Sequence, residues 1–259
     1  LRNYMLEGGS FKSAMSNANI KLYTGAQPAT AEAAPTGTLL CTFTKSSGAL
    51  TREVLPVGSF TISGGSGSID TVTLSFGGCT GINILPAAVS YTTDINTTAT
   101  AVATAINNNP INIFVTASTT GASGVITFTG KRGVGASLNG TVPGGTSTTL
   151  SIGTVVNIGT GTAGVTAVNA LTWGDAATNA IVKNPAETWS GVAAASGTAG
   201  WFRVEAGTTD AGALDSSEAV LRVDGSVATS GAEWNMASTS IVSGATQTIS
   251  SFSITFPTA

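Results

Sequence analysis

Charge and tryptophan divide this chain into two compositionally different parts. Between positions 57 and 165 the only charged residues are Asp70, Asp94, Lys131 and Arg132, and there is no Trp. The other nineteen charges and all four Trp lie outside that stretch. So sharp a break within 259 residues predicts a domain inserted into a surface loop of a discontinuous host. The expected division is a host of residues 1–56 and 166–259 and an insert of residues 57–165. Pro56 stands near one junction and the glycine-rich segment 159–164 near the other.

Periodicity gives each part a character. In the insert, Val72, Leu74 and Phe76 alternate with polar residues, the two-residue period of a half-buried strand, and 111–117 and 125–129 follow suit. Ile95, Ala99, Val102, Ala103 and Ile106 fall on one helical stripe, with Asp94 as N-cap and Pro110 as stop. This predicts a small α+β domain with one helix laid on a sheet. The flanks read as short strands at 20–23, 38–44, 201–205, 219–223 and 249–256, separated by Gly, Ser, Pro and Asp turns. In the last of these, Phe252, Ile254 and Phe256 are expected on one core face. Several such strands around one core predict a mainly β host, a β-sandwich or jelly roll. The first fifteen residues fit a short helix or a docking arm.

A net charge of −3 with only ten Lys and Arg leaves no electrostatic footprint for nucleic acid. Apolar residues are dispersed among Gly, Ser and Thr, so no membrane span is expected, and residues 1–20 lack the pattern of a secretory signal. Cys41 and Cys79 are expected as buried free thiols rather than a disulfide.

Candidate chemistry is sparse. The chain has no His, which removes Ser-His-Asp and Cys-His arrangements and the usual zinc sites. Gly159, Gly161 and Gly164 spell GxGxxG, but a dinucleotide site needs a helix to begin there, and 165–173 reads as extended. Gly130-Lys131-Arg132 lacks P-loop spacing and reads as a strand end. Asp210, Asp215 and Glu218 form the one local acidic cluster, at spacings that do not make an EF-hand. No catalytic residue, cofactor or metal is expected. For Trp173, Trp189, Trp201 and Trp234 core packing is the favoured reading over interface anchoring, and Trp189, in the polar stretch 187–191, is the best candidate among them for an exposed interface anchor.

Four segments occur in a telling order: Ile20-Lys21-Leu22-Tyr23-Thr24-Gly25-Ala26-Gln27-Pro28, Gly37-Thr38-Leu39-Leu40, Gly197-Thr198-Ala199-Gly200-Trp201-Phe202-Arg203 and Asp224-Gly225-Ser226-Val227. This series resembles a family of small virion structural proteins of tailed bacteriophages and prophages, many of which lack anything like 57–165. The insert, with Tyr91-Thr92-Thr93-Asp94, Ala105-Ile106-Asn107 and Leu138-Asn139-Gly140, resembles a small α+β module found in phage structural proteins. The resemblance implies a non-catalytic virion protein and brings no catalytic residues with it. Its expected partners are the major capsid protein or another virion protein, and further copies of itself as a dimer or trimer. The expected place is the capsid exterior; a tail, neck or baseplate station and a host-surface or carbohydrate-binding adhesin are the alternatives.

Overall fold

The computed structural model describes residues 11–76, 79–121, 123–176, 179–207, 210, 212–213 and 220–255. The protein is mainly β and forms two compact units, Leu1–Arg52 with Ala167–Ala259 (unit 1) and Glu53–Thr166 (unit 2). The ends of unit 2 fall at Glu53 and Thr166, where composition placed them at Val57 and Val165. Within unit 1 the two chain ends flanking the other unit are held together. Thr51 N donates to Val168 O and Val168 N to Thr51 O, each at 3.0 Å.

Along the chain, unit 1 opens with a one-turn helix, α1 (Phe11–Ala14), then β1 (Asn19–Thr24) and β2 (Leu39–Lys45). Unit 2 contributes β3 (Val57–Ser63), β4 (Ser68–Phe76), β5 (Cys79–Asn83), β6 (Val89–Ser90), α2 (Ile95–Asn107), β7 (Val115–Thr119), β8 (Val125–Gly130), β9 (Gly144–Thr148) and β10 (Ser151–Val156). Unit 1 resumes with β11 (Ala180–Val182), β12 (Trp189–Val192), β13 (Gly197–Gly207), β14 (Val220–Ala228), β15 (Trp234–Asn235), β16 (Ser240–Ile241), β17 (Thr246–Ile249) and β18 (Ser253–Thr255).

Unit 2 holds two sheets, β10-β3-β8-β7 and a second in which β4 pairs with β5 and β6 and also with β9. Phe60, Ile62, Ile126 and Phe128 from the first sheet and Ile69, Val72 and Leu74 from the second form one core with Ala99, Val102, Ala103 and Ile106 of α2. Each fully buried Val, Ile or Phe there contributes about 1.5–3 kcal/mol. Helix α2 starts where expected, because the Asp94 carboxylate accepts from Asn96 N at 2.8 Å and Thr97 N at 2.9 Å. Those bonds, with Thr97 foremost, hold the Asp94 carboxyl below its usual range.

The expected strand at 111–117 begins only at Val115. Two buried asparagines claim the backbone before it. Asn109 Nδ2 donates to Ile84 O, and Asn112 bonds both Val115 N and Val115 O. Ile111 and Ile113 are thereby held outward, each 65% exposed. Asn107 likewise pairs with both backbone groups of Ala117, at 2.8 Å each, so side chains seal this edge of the sheet.

Unit 1 is built on one large sheet in the order β15-β14-β13-β1-β2-β12-β17, with β16 added to β13, and a separate ribbon of β11 and β18. One face of β1, β13 and β14 supplies Ile20, Leu22, Phe202, Val204, Leu221 and Val227 to a core shared with Met15, Leu171, Trp173, Trp189, Trp234 and Phe252. The expected continuous strand 249–256 is broken: β17 ends at Ile249 and β18 begins at Ser253. The reason lies between them. The Phe252 ring packs within 5.3–6.2 Å of Phe202, Trp234, Trp173 and Trp189, and the chain leaves the large sheet to place it there. Phe256 lies outside the described residues.

Candidate functional site

The opposite face of β1, β13 and β14 carries a buried ionic layer. Pairing register sets it out in three rows: Tyr23, Trp201 and Ser226; Lys21, Arg203 and Asp224; Asn19, Glu205 and Arg222. Directly paired residues share a face, so these nine side chains project together. Arg52 and Asp210 complete the layer from neighbouring loops, giving four cations and three anions in a chain with few charges.

The contacts are close. Arg203 donates from Nε and Nη2 to the two oxygens of Asp224, both at 2.7 Å, and Arg222 donates from Nε at 2.8 Å and Nη2 at 2.6 Å to Asp210. Glu205 meets Lys21 at 2.9 Å and Arg52 at 3.3 Å. Bidentate geometry of this kind is the strongest form of an ion pair, and burial keeps water from competing for it. Burial raises the Glu205 carboxyl above its ordinary range, although Lys21 pulls the other way. Burial opposes charge on Arg203 too, but the Asp224 hydrogen bond and charge outweigh it and hold the guanidinium charged. For Asp210 the bonds from Arg222 and Gly212 N overcome burial and hold the carboxyl low. Tyr23 is pushed up to about 12 by burial, with the Glu205 charge adding to it.

Segment 25–37 lies over this layer, fastened by its carbonyls. Arg203 Nη2 donates to Ala33 O at 3.0 Å, Arg222 Nη1 to Glu32 O at 2.9 Å, and Trp201 Nε1 to Thr36 O at 3.2 Å. Trp201 also stacks on Tyr23, with ring centroids 4.4 Å apart. Two glycines make the close approach possible. A Cβ on Gly200 would stand 2.0 Å from Gly25 O, and one on Gly37, where φ is +77°, would stand 2.0 Å from Thr24 O. On the core face, Gly225 leaves room for the Phe202 ring, which a Cβ would meet at 2.5 Å.

The four ordered segments quoted from the sequence therefore converge. They occupy β1 and its following loop, β2, β13 and β14, which are adjacent strands in the order β14-β13-β1-β2. Their charged, aromatic and glycine positions are committed to the ionic layer, its cover and the core. Sequence reasoning found Arg203 and Asp224 only as parts of motifs; their pairing was signalled by nothing local, since 21 positions separate them.

Other expectations resolve as follows. Trp189 is a correction: it is fully buried, not an exposed interface anchor, and its Nε1 donates to Glu187 Oε2 at 3.0 Å. Glu187 beside it faces inward too, where it also accepts from Thr172 N and Oγ1, while Trp173 packs edge-on to the indole at 5.2 Å. Trp173, Trp201 and Trp234 are buried as well. Cys41 is buried and free, its thiol pushed up to about 11 by burial, whereas Cys79, expected to be buried, is exposed. Segment 159–164 is a turn with no helix after it; Asn139 clamps both backbone groups of Gly164. Lys131 Nζ donates to Asn112 O at 2.6 Å. Of the acidic cluster, Asp210 joins the ionic layer, and Asp215 and Glu218 lie outside the described residues.

Unit 1 also has an open cleft of about 530 Å³ lined by Lys183, Glu233, Asn235 and Ser251, with Trp234 and Phe252 behind them. Those two rings are each only 8% exposed and offer no stacking platform. Among the described residues no group of three acidic or Cys side chains stands close enough to hold a metal. No helix among the described residues is long and apolar enough to cross a membrane. No family model, curated protein or solved structure matches this chain.

Proposed function

We propose that this chain is a non-catalytic structural protein of a tailed-phage particle that reinforces or decorates the capsid exterior through protein–protein contacts. The observation that carries the reading is the convergence of the four resemblance segments on adjacent strands, with their polar groups consumed by internal framework contacts. A catalytic motif leaves reactive groups facing a cleft; these face each other. Arg203 and Asp224 neutralise one another, Trp201 holds the cover, and the glycines admit close backbone approach. Such a framework is rigid, as repeated attachment to a shell requires, and the low charge of unit 2 suits a surface packed among protein neighbours.

The partners in this reading are the major capsid protein and further copies of the chain. The test is to add purified protein to particles that lack it and to image them by cryo-electron microscopy. Density at regularly repeated sites on the outer shell is the expected result. Attachment confined to the tail, neck or baseplate moves the protein to that station. Binding to isolated host-surface glycan with no attachment to particles overturns the structural reading in favour of an adhesin.

A further inference from the structure

The two ends of the large sheet in unit 1 differ in how they are finished. At one end β15 is two residues long and follows Glu233, whose carboxylate accepts from Ser226 N at 2.8 Å. A short, charged terminus of this kind discourages further pairing. At the other end β17 pairs in unbroken register with β12, from Trp189 opposite Ile249 to Val192 opposite Thr246. Its other side receives no hydrogen bond among the described residues, so alternate N–H and C=O groups of Thr246-Gln247-Thr248-Ile249 face outward.

Among the described residues nothing protects this edge. No Asp, Glu, Lys or Arg occurs between Glu233 and Thr255, and β17 has no Pro and no bulge. Exposed valines flank it: Val192, opposite Thr246, is 55% exposed, and Val242, in the turn leading into β17, is 61% exposed. In unit 2, by contrast, Asn107 and Asn112 seal the outer side of β7.

We infer that β17 is a homotypic interface, pairing antiparallel with β17 of a second copy across a two-fold axis and continuing the large sheet from one protomer into the next. A second copy is the occupant that the charge distribution selects. Two-fold pairing sets an edge against itself, so a net charge on it is opposed by the same net charge, and this edge and its flanks carry none. A partner chosen by charge complementarity would find nothing to read here. Four residues and two valines make a small contact, in the weak, transient class, which a lattice of attached copies reinforces by proximity.

The inference deepens the proposed structural role by naming the self-contact, and its test does not need the particle. The full chain is followed by sedimentation equilibrium from about 1 μM to 1 mM, a range that brackets weak self-association. A monomer–dimer equilibrium is expected. The double variant Thr246→Lys/Thr248→Lys, which sets like charges across the axis, should weaken the dimer about tenfold or more while its thermal transition stays near that of the parent. Amide exchange of the unaltered chain provides a readout that needs no substitution. Protection at 246–249 should rise with concentration through the dimer transition, while the amides of β7 stay constant. A chain that remains monomeric throughout overturns the inference, and so does a dimer whose 246–249 amides ignore concentration. A solution dimer that fails to bind particles would sink the proposed station and leave this interface standing; a particle-bound monomer would do the reverse.

Discussion

Replacing Arg203 by Met tests whether the ionic layer is a coupled unit. Among the described residues Asp224 accepts hydrogen bonds only from Arg203 Nε and Nη2, both at 2.7 Å, and its side chain is buried. Arg203→Met removes both donors and strands a carboxylate away from water, which costs about 3–5 kcal/mol. Asp224→Leu strands the guanidinium with Ala33 O as its remaining acceptor among the described residues, and a loss of similar size is expected. The double variant removes both charges at once and should be near the parent in stability, because a buried pair replaced by apolar groups of similar volume is about neutral or better. For a unit of this size each single variant should lower the midpoint of thermal unfolding by about 10–15 °C. Circular dichroism melts and urea titration of the four proteins close the cycle, which isolates the coupling of the pair. Single losses under about 1 kcal/mol, or losses that simply add in the double variant, would refute the account of the layer as buried and mutually dependent.

Further expectations follow from the same structure. Glu205 has a folded-state carboxyl raised above its unfolded value, so the folded state holds the proton more tightly and stability falls as pH rises through the window above the ordinary glutamate range. Glu205→Gln should reduce that slope to the part left by Asp224, whose carboxyl burial also raises, so the parent gains on the variant when urea unfolding is moved from neutral to mildly acid pH; Asp210, held low, opposes this only in stronger acid, where its partnership is lost. A thiol reagent should titrate Cys79 alone in the native protein and Cys41 only after unfolding, since burial holds the latter protonated and out of reach; two fast-reacting native thiols would contradict the fold around β2. Deleting 53–166 and bridging Arg52 to Ala167 with a short Gly/Ser link should leave unit 1 folded with a cooperative melt, because the reciprocal bonds of Thr51 and Val168 already hold the cut ends together. A molten or aggregated product would show that unit 1 depends on the deleted part.

The sequence by itself determined what rests on neighbours along the chain. The stripe from Ile95 to Ile106, the Asp94 cap and the alternation in 71–75 and 125–129 each bury or bond groups within a few residues of one another, so their periodicity is visible without a fold. The composition break at 57–165 was legible for a similar reason, because it is a property of the string. Local signals misled where a distant partner won. Residues 111–114 alternate like a strand but are turned by Asn109 and Asn112, and 249–256 alternates like one strand but is parted by the pull of Phe252 toward a four-ring cluster. Trp189 stands in a polar stretch and looks exposed until Glu187 and Trp173 are folded against it. The ionic layer was beyond reach for the same physical reason. Alternation in 201–205 separates the Arg203 side of the strand from its Phe202 side, but not whether that side meets water. Whether a charged face is wet or buried depends on what covers it, and here Arg52, Asp210 and the carbonyls of 25–37 arrive from elsewhere in the sequence. Tertiary structure alone decided that these charges are inside, because the attraction that makes their burial tolerable exists only once long-range folding has brought the partners together.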